Sequence, residues 1–287
     1  MKFRTELPIP KYPFQISYED SILLLGSCFS EHIGDFLSKN RFFVHSNPFG
    51  TLFNPISIAN ALKMTMNPEL YTREYRYFFN QRHVSFAHHG SFSHSDENQF
   101  ITRIAQQWID TKMFLSKTKV LFITFGTAYC YKFLERDLIV ANCHKIPNSQ
   151  FVKFRLSVDE IVEIYEKMVK ELFQINPSLH IVFTVSPVRH LGDGFHENQI
   201  SKSVLHLAIE ALTNEKNIFY FPAYELLMDD LRDYRFYAND LCHIGENGVR
   251  YVEEVFTETF FSQATKEKLA KISHENKFFN HRPNVSG

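Results

Sequence analysis

The sequence is poor in glycine, tryptophan and cysteine. Its 287 residues include 10 glycines, 1 tryptophan and 4 cysteines. So little glycine excludes collagen-like, linker-like and glycine-rich repeat chains. The four cysteines are too sparse for a disulfide framework, and no two of them form a C-x-x-C pair. Free thiols are typical of a reducing compartment, and we therefore expect a cytoplasmic protein.

The sequence also lacks long hydrophobic runs and an excess of either charge. Its longest apolar runs, around Ile22–Leu25 and Val120–Phe125, have the length of strands and fall far short of the ~20 residues that cross a bilayer. Prolines replace the apolar segment that a secretory signal would carry after Lys2 and Arg4. The 31 basic and 32 acidic residues give a net charge of −1. We expect no membrane span and no nucleic-acid partner.

Phenylalanine is abundant, with 30 residues, and 44% of all residues are hydrophobic. This composition excludes wholesale disorder and predicts a globular protein with a well-filled core. Short buried strands alternate with amphipathic helices along most of the chain, a pattern that predicts a parallel sheet between two layers of helices. Residues 72–95 interrupt the pattern and predict an inserted hairpin. We expect one domain over residues 1–264 and a peripheral polar tail over 265–287.

The polar residues of interest fall in loops that follow predicted strands. In open parallel sheets, ligands bind at the carboxyl ends of the strands, so these loops are the candidate site. Five segments qualify: residues 26–29, 47–51, 126–128, 186–196 and 239–244.

The first of these loops reads Gly26-Ser27-Cys28 at the end of a buried strand and the start of a helix. A thiol at a helix N-terminus has a lowered pKa, and the nearby backbone amides can stabilise an oxyanion. The alternative is that Ser27 or Ser30 only caps the helix and Cys28 is a small buried residue.

The last loop contains Asp240 three residues before His243. At this spacing the carboxylate can hold the imidazole Nδ1–H and leave Nε2 free to act as a base. The spacing alone is weak evidence, because Asp193 and His196 share it. Only the Asp240–His243 pair lies between the last strand and the final helix, and we therefore favour it.

These residues carry a resemblance to the GSCFA family, which is named for a Gly-Ser-Cys-Phe-Ala stretch. That stretch is Gly26-Ser27-Cys28-Phe29 here, with Ser30 in place of alanine. The resemblance spans roughly residues 20–260 and extends to Asn142–Lys145, Ser186–His190 and Asp240–His243. The family resembles a branch of the SGNH (GDSL-type) hydrolases, which implies an α/β fold: a three-layer α/β/α, flavodoxin-like parallel sheet.

The resemblance implies roles for individual residues. Cys28 takes the position of the SGNH nucleophile, Ser27 that of the preceding aspartate, and Asp240 and His243 match the terminal Asp-x-x-His. Gly50 matches the glycine whose amide binds the oxyanion. The SGNH asparagine of the third motif is missing at Gly126-Thr127-Ala128. Either Thr127 or Asn47 replaces it as a donor, or ordinary ester hydrolysis is not the reaction.

Two classes of function remain open. The first is a hydrolase or acyltransferase acting on an ester or thioester, with Cys28, or else Ser27, as nucleophile, His243 as base and Asp240 orienting it. The second is a non-catalytic binding module on an SGNH-like scaffold.

Further side chains suggest the substrate but no cofactor. Arg189, His190 and His144 offer hydrogen-bond donors for an anionic or hydroxyl-rich group, so we expect a small-molecule or saccharide acyl substrate. The histidines of residues 83–94 and the adjacent Cys-His pairs show no recognised zinc spacing, and we expect neither a metal nor a cofactor. The sequence leaves the oligomeric state open.

Overall fold

The computed structural model describes residues 4–9 and 11–280, except for the side chains of residues 277–280. Within this part of the chain the strands are β1 (Ser21–Gly26), β2 (Phe43–Ser46), β3 (Arg76–Phe79), β4 (Arg82–Ser85), β5 (Thr118–Phe125), β6 (Tyr129–Phe133), β7 (Leu138–Val140), β8 (Phe151–Arg155), β9 (His180–Val185) and β10 (Ile218–Tyr220). The helices are α1 (Cys28–Lys39), α2 (Pro55–Met66), α3 (Glu97–Leu115), α4 (Val158–Ile175), α5 (Phe195–Leu212), α6 (Ala223–Glu225), α7 (Glu246–Phe260) and α8 (Gln263–Asn280).

Five parallel strands form the central sheet in the order β10-β9-β5-β1-β2. The first two strands of the chain lie on one side of β5 and the last two on the other, so the direction of winding reverses between β1 and β5. This is the doubly wound, flavodoxin-like order. The predicted fold class is confirmed.

Alternation along the strands builds a hydrophobic core on each face of the sheet. Leu23 and Leu25 point to one face, where helices α2, α3, α4 and α5 pack. Ile22 and Leu24 point to the other face, where α1 and α7 pack. Successive side chains of a strand point to opposite faces, so a strand buried on both faces is mostly apolar along its length. Burial on both faces therefore explains the short apolar runs in the sequence.

The predicted hairpin is present as β3 and β4, paired antiparallel. Asn80 and Gln81 both have positive φ at its turn, as a two-residue type I′ turn requires. A second antiparallel sheet has the order β7-β6-β8. A small third core joins this sheet to the hairpin through Phe86 and Phe133, whose rings lie 4.8 Å apart.

The structure contains two elements that the sequence did not predict, strand β8 and helix α8. Strand β8 was not predicted, because its residues show neither a continuous apolar run nor a regular alternation. The segment predicted as a polar peripheral tail is helix α8 as far as Asn280, and residues 281–287 lie outside the described part. Thr265 and Ile272 of α8 are buried, and the Thr265 hydroxyl donates to the Ile16 carbonyl oxygen over 3.1 Å. Helix α8 therefore packs against the segment that precedes β1.

Across the described residues, no helix combines the length and apolarity needed to span a membrane.

Candidate active site at the carboxyl edge of the sheet

Gly26 makes the turn from β1 into α1. Its φ of +137° lies in a region that side chains avoid, and a Cβ at this position would clash with the backbone of Thr124. The Gly26 amide donates to Asn47 Oδ1 over 2.9 Å, and the Gly26 carbonyl accepts from the Leu52 amide over 2.9 Å. The turn therefore needs glycine, and the Asn47–Leu52 loop holds it in place.

Ser27 and Cys28 occupy different positions at the start of α1. Ser27 is fully buried, and its hydroxyl caps the helix by accepting from the Phe29 amide over 3.3 Å. Cys28 is the first residue of the helix and is partly exposed as a free thiol. Of the two candidate nucleophiles, only Cys28 is open to solvent.

The environment of Cys28 raises the pKa of its thiol. Burial is the main cause and the negative charge of Glu31 adds to it, while the amides of Cys28 and Phe29 and the charge of Lys202 oppose it. The sequence predicted an easily ionised thiol at the helix start, and burial reverses that expectation. Because the thiol is protonated at neutral pH, a reaction through Cys28 needs a base.

Asp240 and His243 form a directly bonded pair. Asp240 Oδ2 lies 2.6 Å from His243 Nδ1, and Asp240 Oδ1 accepts from the amides of Cys242 and His243 over 2.9 Å each. These amides and the imidazole lower the pKa of Asp240 to about 2. About half of each side chain is exposed. The carboxylate fixes the ring so that Nε2 remains free.

Arg189 anchors the loop that carries this pair. Its amide donates to the Cys242 carbonyl over 3.1 Å, and its guanidinium donates to the Leu241 carbonyl over 3.1 Å. The guanidinium also lies 5.5 to 5.8 Å from the ring centres of Phe195, Tyr234 and Tyr237. Arg189 therefore links the loop after β9 to the Asp240–His243 loop.

Within the described residues, no hydrogen bond joins Cys28 to His243. Both nevertheless lie around the same edge. The charge of His243 helps to lower the pKa of His32, which lies one turn after Cys28 on α1, and also that of His190; burial is the main cause in both cases. In the other Asp-x-x-His of the described part of the chain, Asp193 and His196 form no hydrogen bond with each other. Asp193 forms an ion pair with Lys153 instead.

The donors of the residues predicted to bind an oxyanion already make hydrogen bonds within the protein, some more than others. The Gly50 amide donates to the Asn47 carbonyl over 2.8 Å, and the Thr127 amide donates to the Phe53 carbonyl over 3.0 Å. The Thr127 hydroxyl lies 3.1 Å from that of Ser201. Asn47 Nδ2 makes only one long contact, 3.5 Å to the Ser27 carbonyl, beside Cys28. Asn47 is therefore the least committed donor of the three.

A pocket of about 350 Å³ lies next to this edge of the sheet. Its walls combine aromatic, amide and charged side chains, among them Phe53, Tyr129, Tyr131, Asn142, Lys153, Thr127, His190 and Asp193. Burial lowers the pKa of His190 to about 4, and its Nε2 is buried without a partner. His190 therefore lines the pocket as a neutral ring.

His144 lies apart from that pocket. Its Nε2 contacts the Ser85 carbonyl oxygen at 2.7 Å, and burial lowers its pKa to about 4. The bond to Ser85 ties the Asn142–Lys145 loop to the hairpin. No group of three or more His, Cys, Asp or Glu side chains in the described part of the chain is arranged to hold a metal ion.

Sequence reasoning missed Lys202, which is buried on α5 beneath the same edge. Its ammonium donates to the carbonyls of Gly126 and Ser186, over 2.6 Å each. The signal was present, because Lys202 lies with Asn198, Leu205 and Ile209 on the buried face of α5 at helical spacing.

Fold and site together define an open parallel α/β protein whose functional groups gather at the carboxyl ends of its strands. The chain belongs to the GSCFA family, whose family model matches residues 21–256. A search of the curated proteins found no match.

Solved structures of similar fold include a protein from Streptococcus pneumonia described provisionally as a platelet activating factor, with 10% identity, a TM-score of 0.41 and coverage of 84% of this chain and 83% of that one. A family 3 carbohydrate esterase from Talaromyces cellulolyticus has 9% identity, a TM-score of 0.38 and coverage of 89% and 99%. A family two carbohydrate esterase from Clostridium thermocellum has 10% identity, a TM-score of 0.39 and coverage of 88% and 65%.

Proposed function

We propose that this chain is a hydrolase or acyltransferase that acts on an ester or thioester through Cys28. The observation that carries the proposal is the contrast at the start of α1, where Ser27 is buried as the helix cap and Cys28 presents a free thiol. A nucleophile must be reachable by its substrate, and a capping hydroxyl is occupied by the backbone amide that it caps.

His243 acts as the general base and Asp240 orients it. The 2.6 Å contact of Asp240 with Nδ1 leaves Nε2 to take the thiol proton. Catalytic hydrogen bonds are often long before substrate binds, and half of the His243 side chain is exposed. The substrate would cover the ring and bring Nε2 within reach of the thiol.

The reaction follows in two steps. Sγ attacks the carbonyl carbon as Nε2 takes its proton, the bond to the leaving oxygen or sulfur breaks, and the imidazolium returns the proton to the leaving group. Water or a second hydroxyl then attacks the carbonyl carbon of the acyl-Cys28 thioester and gives its proton to Nε2, the bond between that carbon and Sγ breaks, and the imidazolium returns the proton to the Cys28 sulfur. The Cys28 amide and Asn47 Nδ2 are our candidates for holding the oxyanion.

The adjacent pocket supports a small substrate with hydroxyl groups. Tyr129 and Tyr131 offer flat apolar rings, while Asn142, Lys153 and His190 offer polar atoms. Sugars and small alcohols have this mixture of apolar faces and hydroxyl edges. We propose that the acyl-bearing or acyl-accepting alcohol binds here.

The second candidate is a binding module without catalysis. The raised pKa of Cys28 and the lack of a hydrogen bond between Cys28 and His243, within the described residues, favour it. On this proposal the pocket binds a ligand, and the thiol plays no part.

Acylation experiments separate three possibilities: Cys28 as nucleophile, Ser27 as nucleophile, and a binding module without catalysis. The protein is treated with an activated thioester or an activated ester, and acylation is measured as a mass increase of the peptide that contains Cys28. We expect Cys28→Ala to abolish both the adduct and turnover. Ser27→Ala should retain both and lose about 1 kcal/mol of stability with the helix cap. Retained turnover in Cys28→Ala together with its loss in Ser27→Ala would assign the nucleophile to Ser27. A folded protein that forms no adduct would favour the binding module.

A further inference from the structure

Lys202 is a buried cation placed at the ends of two neighbouring strands. Its side chain is 2% exposed, and Nζ lies 2.6 Å from both the Gly126 and the Ser186 carbonyl oxygen. These residues directly follow β5 and β9. Two donors of the ammonium are thereby used, and one remains.

The hydrogen-bond partners of Lys202 in the described part of the chain are backbone carbonyls and not carboxylates. Among the described residues it forms no salt bridge, and the titratable groups that face it are His190, His206, Tyr224 and Cys28. Burial lowers the pKa of both histidines to about 4 and raises that of Tyr224, so these three stay neutral near pH 7. An unpaired buried ammonium is costly, and Cys28 is the one neighbour that becomes an anion in the proposed reaction.

Hydrogen bonds to backbone carbonyls hold both Cys28 and Lys202 near the end of β5. The Ser27 amide donates to the Thr124 carbonyl over 3.2 Å, and Gly126, which accepts from Lys202, lies two residues further along. The thiol-bearing turn and the lysine are therefore both fastened to the end of β5.

We propose that Lys202 is a positioning residue that controls the ionisation of Cys28: its ammonium stabilises the thiolate. The inference rests on the proposed function in one respect: that function makes the Cys28 thiolate the nucleophile. Burial lowers the pKa of Lys202 to about 7, while the thiolate raises it. The neutral pair of thiol and amine and the charged pair of thiolate and ammonium hold the same number of protons, so their ratio does not change with pH.

The protein without substitutions provides the first test, the rate of Cys28 alkylation by iodoacetamide between about pH 5.5 and 10. Mass spectrometry of the Cys28 peptide reports the rate. We expect it to rise to about pH 7, where Lys202 begins to lose its proton, then to level off, and to rise again as the thiol ionises beside the neutral amine. Cys143, whose pKa is raised to about 11 by burial alone, is the internal control and should show a single rise.

Lys202→Met provides the second test. The level region should disappear, and the alkylation rate at pH 7 should fall about tenfold, which corresponds to about one pKa unit. Lys202→Gln, which keeps N–H donors without the charge, replaces it if the methionine variant does not fold. Lys119→Met is the matched control, because Lys119 also donates to a backbone carbonyl, that of Gln15 over 2.8 Å, at the opposite end of β5.

A single-step profile in the unsubstituted protein, or an unchanged profile in a folded Lys202 variant, would overturn the inference. Alkylation needs no ester substrate, so these results are independent of the acylation experiment. A two-step profile in a protein that forms no acyl adduct would support the Lys202–Cys28 pair and refute the proposed reaction. A single-step profile in a protein that does form the acyl adduct would refute the Lys202–Cys28 pair and leave the proposed reaction intact.

Discussion

Substitution of Gly26 by alanine tests how the turn before Cys28 is built. Two costs arise: a side chain at φ +137° costs about 1–3 kcal/mol, and forcing a methyl group against the Thr124 backbone costs about 1–3 kcal/mol more. The free energy of unfolding should therefore fall by about 2–6 kcal/mol. Domains of ordinary stability have only about 5–15 kcal/mol, so the variant should fold but unfold at a much lower urea concentration.

Gly192→Ala is the matched control for this prediction. A Cβ at Gly192 would meet no atom within 4 Å, and its φ is not positive. This substitution should change stability by less than about 1 kcal/mol. Urea unfolding followed by circular dichroism measures both variants. If Gly26→Ala stayed within 1 kcal/mol of the control, the turn would tolerate a side chain, and our account of the Gly26 position would be wrong.

Two further predictions concern charge. Asp240→Asn should lower turnover of an activated ester by about 10²–10⁴-fold, because the carboxylate orients His243. Asp193→Asn, in the other Asp-x-x-His, should cost less than about tenfold, and equal losses would contradict the assignment. Burial lowers the pKa of His88 to about 3 and that of His144, His190 and His206 to about 4. Unfolded histidine titrates near 6.5, so stability should be complete above about pH 6.5 and fall towards pH 4 by up to about 1.4 kcal/mol per pH unit for each histidine. Unfolding free energies at pH 7, 6 and 5 measure this loss, and equal values would refute it; His88→Gln should show a shallower dependence.

The parts of the fold that the sequence predicted are those where one periodicity dominates. Strands β1, β5 and β9 are buried on both faces and are therefore mostly apolar, and Asn54 and Ser157 cap their helices through side-chain oxygens. Strand β8 has exposed residues next to buried ones without alternation, and α8 is mostly polar with few buried positions. Tertiary contacts define such elements, and a local pattern does not contain them.

The sequence predicted those parts of the candidate site that lie in loops at the strand ends. Strand ends identified Cys28 and the Asp240–His243 loop, because carboxyl ends of parallel strands meet at one edge. Local spacing permits the bond between Asp240 and His243 but does not ensure it, because Asp193 and His196 have the same spacing and Asp193 pairs with Lys153 instead. Lys202 was missed because it lies within helix α5 and not in one of the loops at the strand ends. The raised pKa of Cys28 depends on burial by distant segments, which the sequence does not show.

The distribution of the proposed site along the chain has a consequence during synthesis. Cys28 emerges from the ribosome 174 residues before Lys202 and 215 residues before His243. Domains fold as the chain emerges, N-terminal parts first, at about 5–20 residues per second. On the nascent chain Cys28 is therefore an ordinary thiol. A ribosome that stalls before α5 releases a fragment that contains the nucleophile without the residues proposed to activate it.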